Sequence, residues 1–402
     1  MSVDELDTML AAGQMEGVAG QLRDMGAADE LSDGREHDPV LTTPWNHRGT
    51  VDAVVILSGG GGVKRRAFLS VTGTALTAPA HQWLVHEPEP LVSGLSGRRI
   101  STDMVRQLTA MIAELRKMDD IAGGGGVLSL AQHEFSWVAG LLDQAVYDER
   151  TGRMLFVALA ELGQLCGWAA YDDGHHALAQ RCYVAALRAT HSADDRPLDA
   201  HVLSCMAEQA ARQGQPAQAV TLIETALAGM RGQQIPSLLA ELYGRQAYAL
   251  AIVGDVPGCV AVVSKLNTQI ERLTPDAGPS WLYWVNPANM TCEVGNSLRQ
   301  LGHTEQAAVV LKNGIAMYDD SLPVGGQAGY LIALADVRAR PGKQRDLDVA
   351  ASHGMEAIQL IESLDSPRLA DLIRNLYHQM TPHAKLPAVG DFLERARGLV
   401  TV

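Results

Sequence analysis

The sequence is poor in cysteine and aromatic residues and has no long apolar run, and each shortage excludes a class of protein. The cysteines are Cys166, Cys182, Cys205, Cys259 and Cys292. They stand singly, without a CxxC pair, so neither a disulfide framework nor a zinc site is expected, and we interpret them as core thiols in a reducing compartment. No run reaches the roughly 20 apolar residues that span a bilayer. Aromatic residues make up 5% of the chain, and its richness in Ala and Leu favours helix over strand.

Positive charge is also scarce. The formal net charge of −14 opposes attraction to the phosphate backbone of DNA, so DNA binding by this chain is expected to be weak or indirect. The N-terminal segment MSVDELDTML is acidic where a secretory signal is basic. The segment KRRAFLSVTGTALTAPA has the paired arginines of an export signal but begins only at Lys64, so we predict that it docks on the protein body. A cytoplasmic protein without a membrane segment is expected.

Catalytic motifs are missing as well. The sequence has no GxSxG, no HExxH and no GxGxxG after a strand. The run GGGGVKRR follows VDAVVIL, but Lys64 is followed by Arg65 and not by the hydroxyl residue of a phosphate-binding loop. The adjacent His175 and His176 are interpreted as a solvated turn. We therefore predict no enzyme activity, no metal and no cofactor.

What the sequence does contain is a repeat centred on a glycine. The four glycines are Gly174, Gly214, Gly254 and Gly302. Small residues stand seven positions before each (Gly167, Ala207, Ala247, Gly295) and five positions after (Ala179, Ala219, Cys259, Ala307). Larger residues stand nine positions after (Tyr183, Ile223, Val263, Leu311). Small residues let two helices approach closely, so this pattern predicts an all-α solenoid of tetratricopeptide-like helical hairpins.

The repeats divide the chain into three predicted parts. Residues 1–50 hold an N-terminal helix, over 5–25, and an acidic linker; residues 51–100 form an irregular segment packed on the solenoid; residues 101–402 form the repeat domain. Within it we predict helices over 102–120 and 127–145, joined by a loose glycine turn at 123–126. Ser366 and Pro367 predict a helix start. The last segment, HAKLPAVGDFLERARGLV, is either a capping helix or a dimer face.

The concave face of such an array is its usual binding surface. The first helix of each hairpin lines that face, and counting back from the glycines predicts the groove residues. They are Gln164, Trp168, Tyr171, Ser204, Glu208, Tyr248, Asn289, Asn296 and Arg299. Amides, arginine and tyrosine suit an extended peptide. The segment WLYWVNPAN over 281–289 is either a pocket wall or a structural wedge, and the wedge is favoured.

Long stretches of the chain also resemble a known family. They are VDAVVILSGGGGVKRRAFLS, HQWLVHEPEP, MIAELRKMDD, LAQHEFSWVAGLLDQ, the run from LAQRCYVAALRAT to TLIETAL, and GMEAIQLIESLDSPR. Over roughly residues 40 to 402 the sequence resembles actinobacterial, Streptomyces-type regulators that couple an N-terminal Xre helix-turn-helix to a tetratricopeptide-like sensor. The resemblance implies regulation of transcription. Residues 1–40 offer no turn and recognition helix, so the chain is expected to lack the DNA-reading head.

These observations predict a cytoplasmic sensor of a regulator family. Its groove would bind a peptide, a small molecule or a protein partner, and a homodimer is expected because regulators of palindromic sites act in pairs. Two alternatives stay open. One is a protein–protein scaffold that senses no ligand, and the other is a direct DNA-binding regulator acting as a dimer.

Overall fold

The all-α fold predicted from the repeats is confirmed. The structure is a computed structural model that describes residues 38–58, 70–89, 94–95, 99–230, 232–274, 278–319 and 322–400. Its helices up to the second repeat are α1 (Pro39–Thr42), α2 (His47–Ser58), α3 (Thr74–Val85), α4 (Thr102–Ala122), α5 (Gly124–Gln144), α6 (Glu149–Asp172), α7 (His176–Ala193), α8 (Arg196–Arg212) and α9 (Pro216–Gly229). They are followed by α10 (Pro236–Val253), α11 (Val256–Ile270), α12 (Pro287–Gln300), α13 (Thr304–Ile315), α14 (Val324–Ala339), α15 (Leu347–Ile361), α16 (Pro367–Met380) and α17 (Pro387–Val400). Two short strands, β1 (Gly94–Leu95) and β2 (Val146–Tyr147), pair antiparallel.

The four repeat glycines end the first helix of four hairpins: α6/α7, α8/α9, α10/α11 and α12/α13. Their φ angles lie between +74° and +85°, a region that glycine enters without strain. The amide after each glycine donates to the carbonyl four positions before that glycine; the bonds are His175 to Ala170, Gln215 to Ala210, Asp255 to Leu250 and His303 to Leu298, at 2.7–3.0 Å. This helix cap explains why one residue type recurs at the turn.

The predicted close approach of paired helices at small residues is present in two hairpins, where a large residue of the second helix lies against a glycine of the first. A Cβ atom added to Gly167 would lie 2.4 Å from the ring of Tyr183, and one added to Gly295 would lie 2.7 Å from Leu311. Both distances are shorter than any real Cβ contact, so glycine is needed there. The hairpins α14/α15 and α16/α17 extend the array. Ser366 caps α16, with its side chain accepting from Leu369 N–H and Pro367 in the first turn, as predicted.

The region before the repeats differs from its prediction. The linker and irregular segment contain three helices, α1 to α3, which pack on the hairpins. Trp83 of α3 is fully buried, and its indole lies so close to Gly229 that a Cβ there would clash at 1.9 Å. Arg188 of α7 donates to the carbonyls of Pro44 and Leu41. The predicted helix over 5–25 and the glycines at 59–62 lie outside the described residues.

The glycine run at 123–126 is not the loose turn that was predicted, because α5 begins at Gly124. A Cβ on Gly124 would meet the Ala169 carbonyl at 2.4 Å, and one on Gly123 would meet the Asp365 carbonyl at 2.5 Å. Glycine here permits the backbone to approach two other parts of the fold. The run is therefore a contact point between segments that are far apart in sequence.

The inner helices α6, α8, α10, α12, α14 and α16 form a closed ring, each in contact with the next, and α16 in contact with α6. We call the contacts that close it the seam. Asp365 N–H donates to Ala122 O (2.7 Å), Gly125 N–H to Asp365 O (3.2 Å), Ser366 Oγ to Asp172 Oδ1 (2.9 Å) and Arg368 Nε to Asp172 Oδ1 (2.7 Å). The array thus curves until its last hairpin meets its first.

The final helix, α17, packs on α15 and α16 and buries Val389 and Phe392 completely. It therefore acts as a cap over the apolar end of the array, one of the two predicted roles. Within the described residues one helix, α6, is long and apolar enough to cross a membrane. However, 83% of its most apolar window is buried inside the protein, as in the core helix of a soluble protein.

Candidate functional site

The ring of inner helices encloses a cavity of about 520 Å³. Its wall is formed by side chains from all six inner helices, by the end of α4 and by the segment between α11 and α12. A cavity of this size is in the range that holds small molecules in proteins. The predicted concave groove is therefore a pocket inside the ring of helices that is partly open to solvent.

Seven of the nine predicted groove residues lie in the cavity wall. They are Gln164, Trp168, Glu208, Tyr248, Asn289, Asn296 and Arg299. Tyr171 and Ser204 are corrections, because neither is among the wall residues. Tyr171 is 2% exposed and packs edge-on against Trp168, and Ser204 is fully buried and donates to Glu241 (2.9 Å). Both side chains point away from the cavity, behind the wall residues of the same helix.

The wall residues stand at regular offsets from the hairpin glycines, and the sequence analysis predicted only some of these offsets. Relative to the hairpin glycines, wall residues recur thirteen, nine, six and two positions earlier. The nine-position set is Leu165, Cys205, Arg245 and Glu293, and the two-position set includes Asp172 and Arg212. This spacing of four, three and four marks one face of a helix. The recurring polar residues at these offsets were a readable signal in the sequence.

Two networks of buried ion pairs run along the wall. In the first, Arg245 donates to Glu208 (3.0 Å) and Glu293 (3.3 Å), so one guanidinium bridges three consecutive inner helices. Arg212 also pairs with Glu208 (2.9 Å), and Tyr330 donates to Glu293 (2.8 Å). Burial opposes ionisation of Glu208, but Arg212 and Arg245 outweigh it and lower its pKa to about 2. The charges are therefore permanent at neutral pH.

The second network lies further round the ring, where Asp336 forms ion pairs with Arg299 (2.7 Å) and Arg340 (2.6 Å). Counted over the whole wall, six arginines face seven aspartates and glutamates. The cavity is thus strongly charged but close to neutral in sum. Such a wall offers paired donors for a carboxylate and acceptors for an amine.

The side of the cavity next to the seam is acidic. Burial, with the charges of Asp172 and Asp120, raises the pKa of Asp119 to about 8. Burial also raises the pKa of Asp120 to about 6, although its hydrogen bond from Tyr283 (2.9 Å) lowers it. Among the described residues, Asp119 Oδ1 has no hydrogen-bond partner.

The aromatic segment before α12 contributes to the wall. Trp281, Tyr283 and Trp284 all face the cavity, and Trp281 stacks on His201 with ring centroids 4.8 Å apart. Trp281 is also 7% exposed and belongs to the core. The segment is therefore both the pocket wall and the wedge that the sequence left as alternatives.

One group of side chains in the wall has ligand atoms suited to a metal. The atoms of His201, Cys205 and Glu241 lie within 4.8 Å of one another, and all three residues are buried. His201 Nδ1 lies 2.9 and 3.0 Å from the two Glu241 oxygens, and its Nε2 lies 4.0 Å from Cys205 Sγ. With Glu241 on Nδ1, only Nε2 and Sγ are left as direct ligands, fewer than the four of a structural zinc site or the three of a catalytic one.

Comparisons with known proteins add no identity to this geometry. No protein-family model matches the chain, and no curated protein matches it.

Proposed function

We propose that the chain is the sensor part of a regulator like the actinobacterial Xre-type proteins it resembles, and that its cavity binds a small molecule or a short peptide. The observation that carries the proposal is the charged cavity of about 520 Å³ inside the ring. Ligand pockets of this size bury most of a small ligand and fix it with a few placed polar groups. Because the volume suits a ligand of this size, we favour a compact ligand over a long extended peptide.

The wall chemistry favours a ligand that carries both a positive and a negative group. Asp120 offers a carboxylate beside the seam, and Arg299 and Arg340 lie on the opposite network. Trp168 and Trp284 offer aromatic faces, on which Arg368 and Arg245 already rest. A zwitterion such as a short peptide uses both charge types without adding net charge to a buried site.

The seam offers a way for binding to be transmitted. Asp172, Ser366 and Arg368 belong both to the seam and to the cavity wall. A ligand that contacts both sides of the seam stabilises the closed ring by its differential affinity for that state. In a regulator this change would alter the placement of an attached or partner DNA-binding head. We propose a cytoplasmic homodimer as the working form, testable by its light-scattering mass.

The test is ligand-dependent thermal stability, measured on the purified chain against a library of di- to pentapeptides and cytosolic metabolites. A ligand raises the melting temperature of the wild type, and we expect Trp168→Ala to lose most of that rise. The matched control is Trp137→Ala, because Trp137 lies on α5 with 42% exposure and outside the cavity wall. No shift from any compound, or equal shifts in both variants, would contradict the proposal.

A second experiment addresses the DNA-binding alternative. The net charge of −14 predicts no electrophoretic shift of the protein's own promoter fragment at low salt. A sequence-selective, salt-sensitive shift by a dimer would show that the body itself binds DNA and would replace the sensor proposal.

A further inference from the structure

One of the five cysteines differs from the others in its surroundings. Cys205 lies in the cavity wall, whereas the other four are buried among packed helices away from it. Burial raises the pKa of the Cys182 thiol to about 12 and that of Cys259 to about 11, as expected for inert core thiols. Cys205 alone combines contact with a ligand-sized space and a neighbouring imidazole.

Three side chains stand in a line from the thiol. His201 and Cys205 are four positions apart on α8 and so share one helix face. Cys205 Sγ is 4.0 Å from His201 Nε2, and His201 Nδ1 is 2.9 Å from Glu241 Oε1. A carboxylate on Nδ1 fixes a ring proton there and directs Nε2 towards the thiol. This is the nucleophile, base and orienting carboxylate of covalent catalysis.

Two further contacts fix the group. Ser204 donates to Glu241 Oε1 (2.9 Å), and Trp281 stacks on the imidazole at 4.8 Å, so the ring has little freedom to rotate. On the other side of the thiol, the Gln164 amide lies 3.5 Å from Cys205 Sγ. An amide N–H at that distance from a nucleophile can reach the oxygen of a carbonyl that the nucleophile attacks.

We propose that Cys205, His201 and Glu241 form a thiol nucleophile site that accepts the acyl group of an activated ester or thioester bound in the cavity. The thiol proton moves to His201 Nε2, and the thiolate forms a bond to the carbonyl carbon. The bond from that carbon to the leaving oxygen or sulfur breaks, and the leaving group takes the proton from His201. The product is an acyl thioester on Cys205 and a free alcohol or thiol, with no oxidant or reductant required.

The charges around the imidazole favour the reactive form. Burial lowers the affinity of His201 for a proton, but Glu241 of α10 and Cys205 of α8 outweigh it and raise its pKa to about 10. The Glu241 charge therefore favours transfer of the thiol proton to the imidazole. Arg245 faces Glu241 from the same helix, while Trp281 and Gln164 bring no charge.

The first experiment uses p-nitrophenyl acetate on the intact chain. We expect a burst of one p-nitrophenolate per chain, and peptide mass spectrometry is expected to find the acetyl group on Cys205. The other four cysteines serve as internal controls and stay unmodified. Cys205→Ala abolishes the burst, and His201→Gln slows acylation at neutral pH about 100-fold, the size of a lost general base. Circular dichroism and melting temperature report whether each variant folds.

A measurement on the wild type keeps the proposal testable if His201→Gln fails to fold. The rate of iodoacetamide labelling at each cysteine is followed from pH 6 to pH 9. A thiol beside an imidazole that takes its proton is expected to label faster at Cys205 than at the four core cysteines across this range. Labelling at Cys205 no faster than at Cys182 would overturn the proposal.

Two other outcomes are decisive. One-to-one zinc binding that requires all three side chains, without acylation, would overturn the thiol site in favour of a metal site. The inference rests on the proposed function only in treating the cavity as a ligand site, and the two can fail separately. Compounds that raise the melting temperature without any acylation of Cys205 by p-nitrophenyl acetate would support the sensor and reject the thiol site. Acylation of Cys205, with no compound that raises the melting temperature, would support the thiol site and reject the sensor.

Discussion

Neighbouring hairpins and the two ends of the ring are joined by different chemistry. Within and between the hairpins of α6 to α11, small and large apolar residues form one continuous core, in which Leu159, Tyr183 and Leu242 are completely buried. At the seam the main contacts are hydrogen bonds and ion pairs around Asp172 and Asp365. The hairpin joints thus combine an apolar core with the Arg245 ion pairs, whereas the seam contacts given above are polar.

This difference assigns separate roles to the two kinds of contact. Separating two hairpins exposes apolar surface, at about 25 cal/mol for each Å². Opening the seam exchanges hydrogen bonds for bonds to water, and each such bond contributes only about 1 kcal/mol. We therefore expect the hairpin joints to set the shape of the ring and the seam to open first. Because seam residues also line the cavity, opening of the seam would change the cavity wall.

The largest expected effect comes from the polar network inside the hairpin joints. Arg245→Ala leaves the buried carboxylates of Glu208 and Glu293 without their shared cation. Breaking a buried pair by removing one partner costs about 3–5 kcal/mol of the free energy of unfolding. Urea unfolding measures the loss.

The control for this variant is Arg106→Ala. Arg106 pairs with Asp103 on the surface, with side-chain exposures of 64% and 79%, and an exposed pair is worth at most about 1 kcal/mol. Equal losses in the two variants would show that the Arg245 network does not hold the inner helices together. The hairpin joints would then depend on apolar contacts alone.

The hairpins themselves could be predicted from the sequence because their contacts are local. Gly174 and Gly214 mark turns that need a positive φ, and Gly167 marks the close approach of two helices. Ring closure could not be predicted in this way. It joins Asp172 to Ser366, 194 positions later, and depends on small rotations that add up over every repeat. The same closure explains why Gly124 begins a helix instead of lying in a loose turn.

The site was predictable only in part for a related reason. Residues six positions before the glycines, such as Trp168, Glu208 and Tyr248, lie in the cavity wall because that helix face is inward in each hairpin. Arg245 and Cys205 were missed because a buried arginine and a single cysteine look like packing residues when each repeat is considered alone. Their function in the wall depends on partners from neighbouring hairpins.

The next effect concerns the pH dependence of stability on the seam side of the cavity. Asp119 has a pKa of about 8 in the folded chain, raised mainly by burial, against 3.8 as an ordinary side chain. Between pH 4 and pH 8 the folded state thus holds a proton that the unfolded state has released. The free energy of unfolding therefore falls as pH rises through this range. We expect Asp119→Asn to remove most of that fall, which is at most about 1.4 kcal/mol for each pH unit.

The measurement is urea unfolding of wild type and Asp119→Asn at pH 5, 6, 7 and 8. Subtracting the two curves cancels the other groups that titrate in this range, including Asp120, whose pKa is raised to about 6 chiefly by burial. The variant should gain stability over the wild type as pH rises. If the curves of the two proteins stay parallel, the pKa of Asp119 is not raised by burial beside the seam. The contrast between the seam and the apolar joints would then be weaker.

A smaller effect tests the apolar joints directly. Gly167→Ala places a methyl group 2.4 Å from the Tyr183 ring, and overpacking of this kind costs about 1–3 kcal/mol of the free energy of unfolding. The control is Gly244→Ala on α10, where the nearest atom is 3.6 Å away, on Glu293. There alanine should stabilise by up to about 1 kcal/mol through helix propensity. Changes of the same sign in both variants would contradict the close-approach interpretation.

The smallest expected effect on global stability comes from the seam, in Asp172→Asn. The side chain keeps its size but loses the charge that faces Arg368 and one of its acceptor oxygens. We expect a loss of about 1–2 kcal/mol in the free energy of unfolding. The informative readout is hydrogen exchange, followed at the seam amides of Asp365 and Gly125 and, as an internal control, at the hairpin amide of Ala179.

If the seam is a separate weak unit, the variant speeds exchange at Asp365 and Gly125 roughly tenfold, while Ala179 keeps the wild-type rate. The factor of ten corresponds to about 1.4 kcal/mol taken from local opening alone. A uniform rise at all three amides would mean that the ring opens only by unfolding as a whole. Ligand would then have to enter without seam opening, and the seam could not transmit binding to the rest of a regulator.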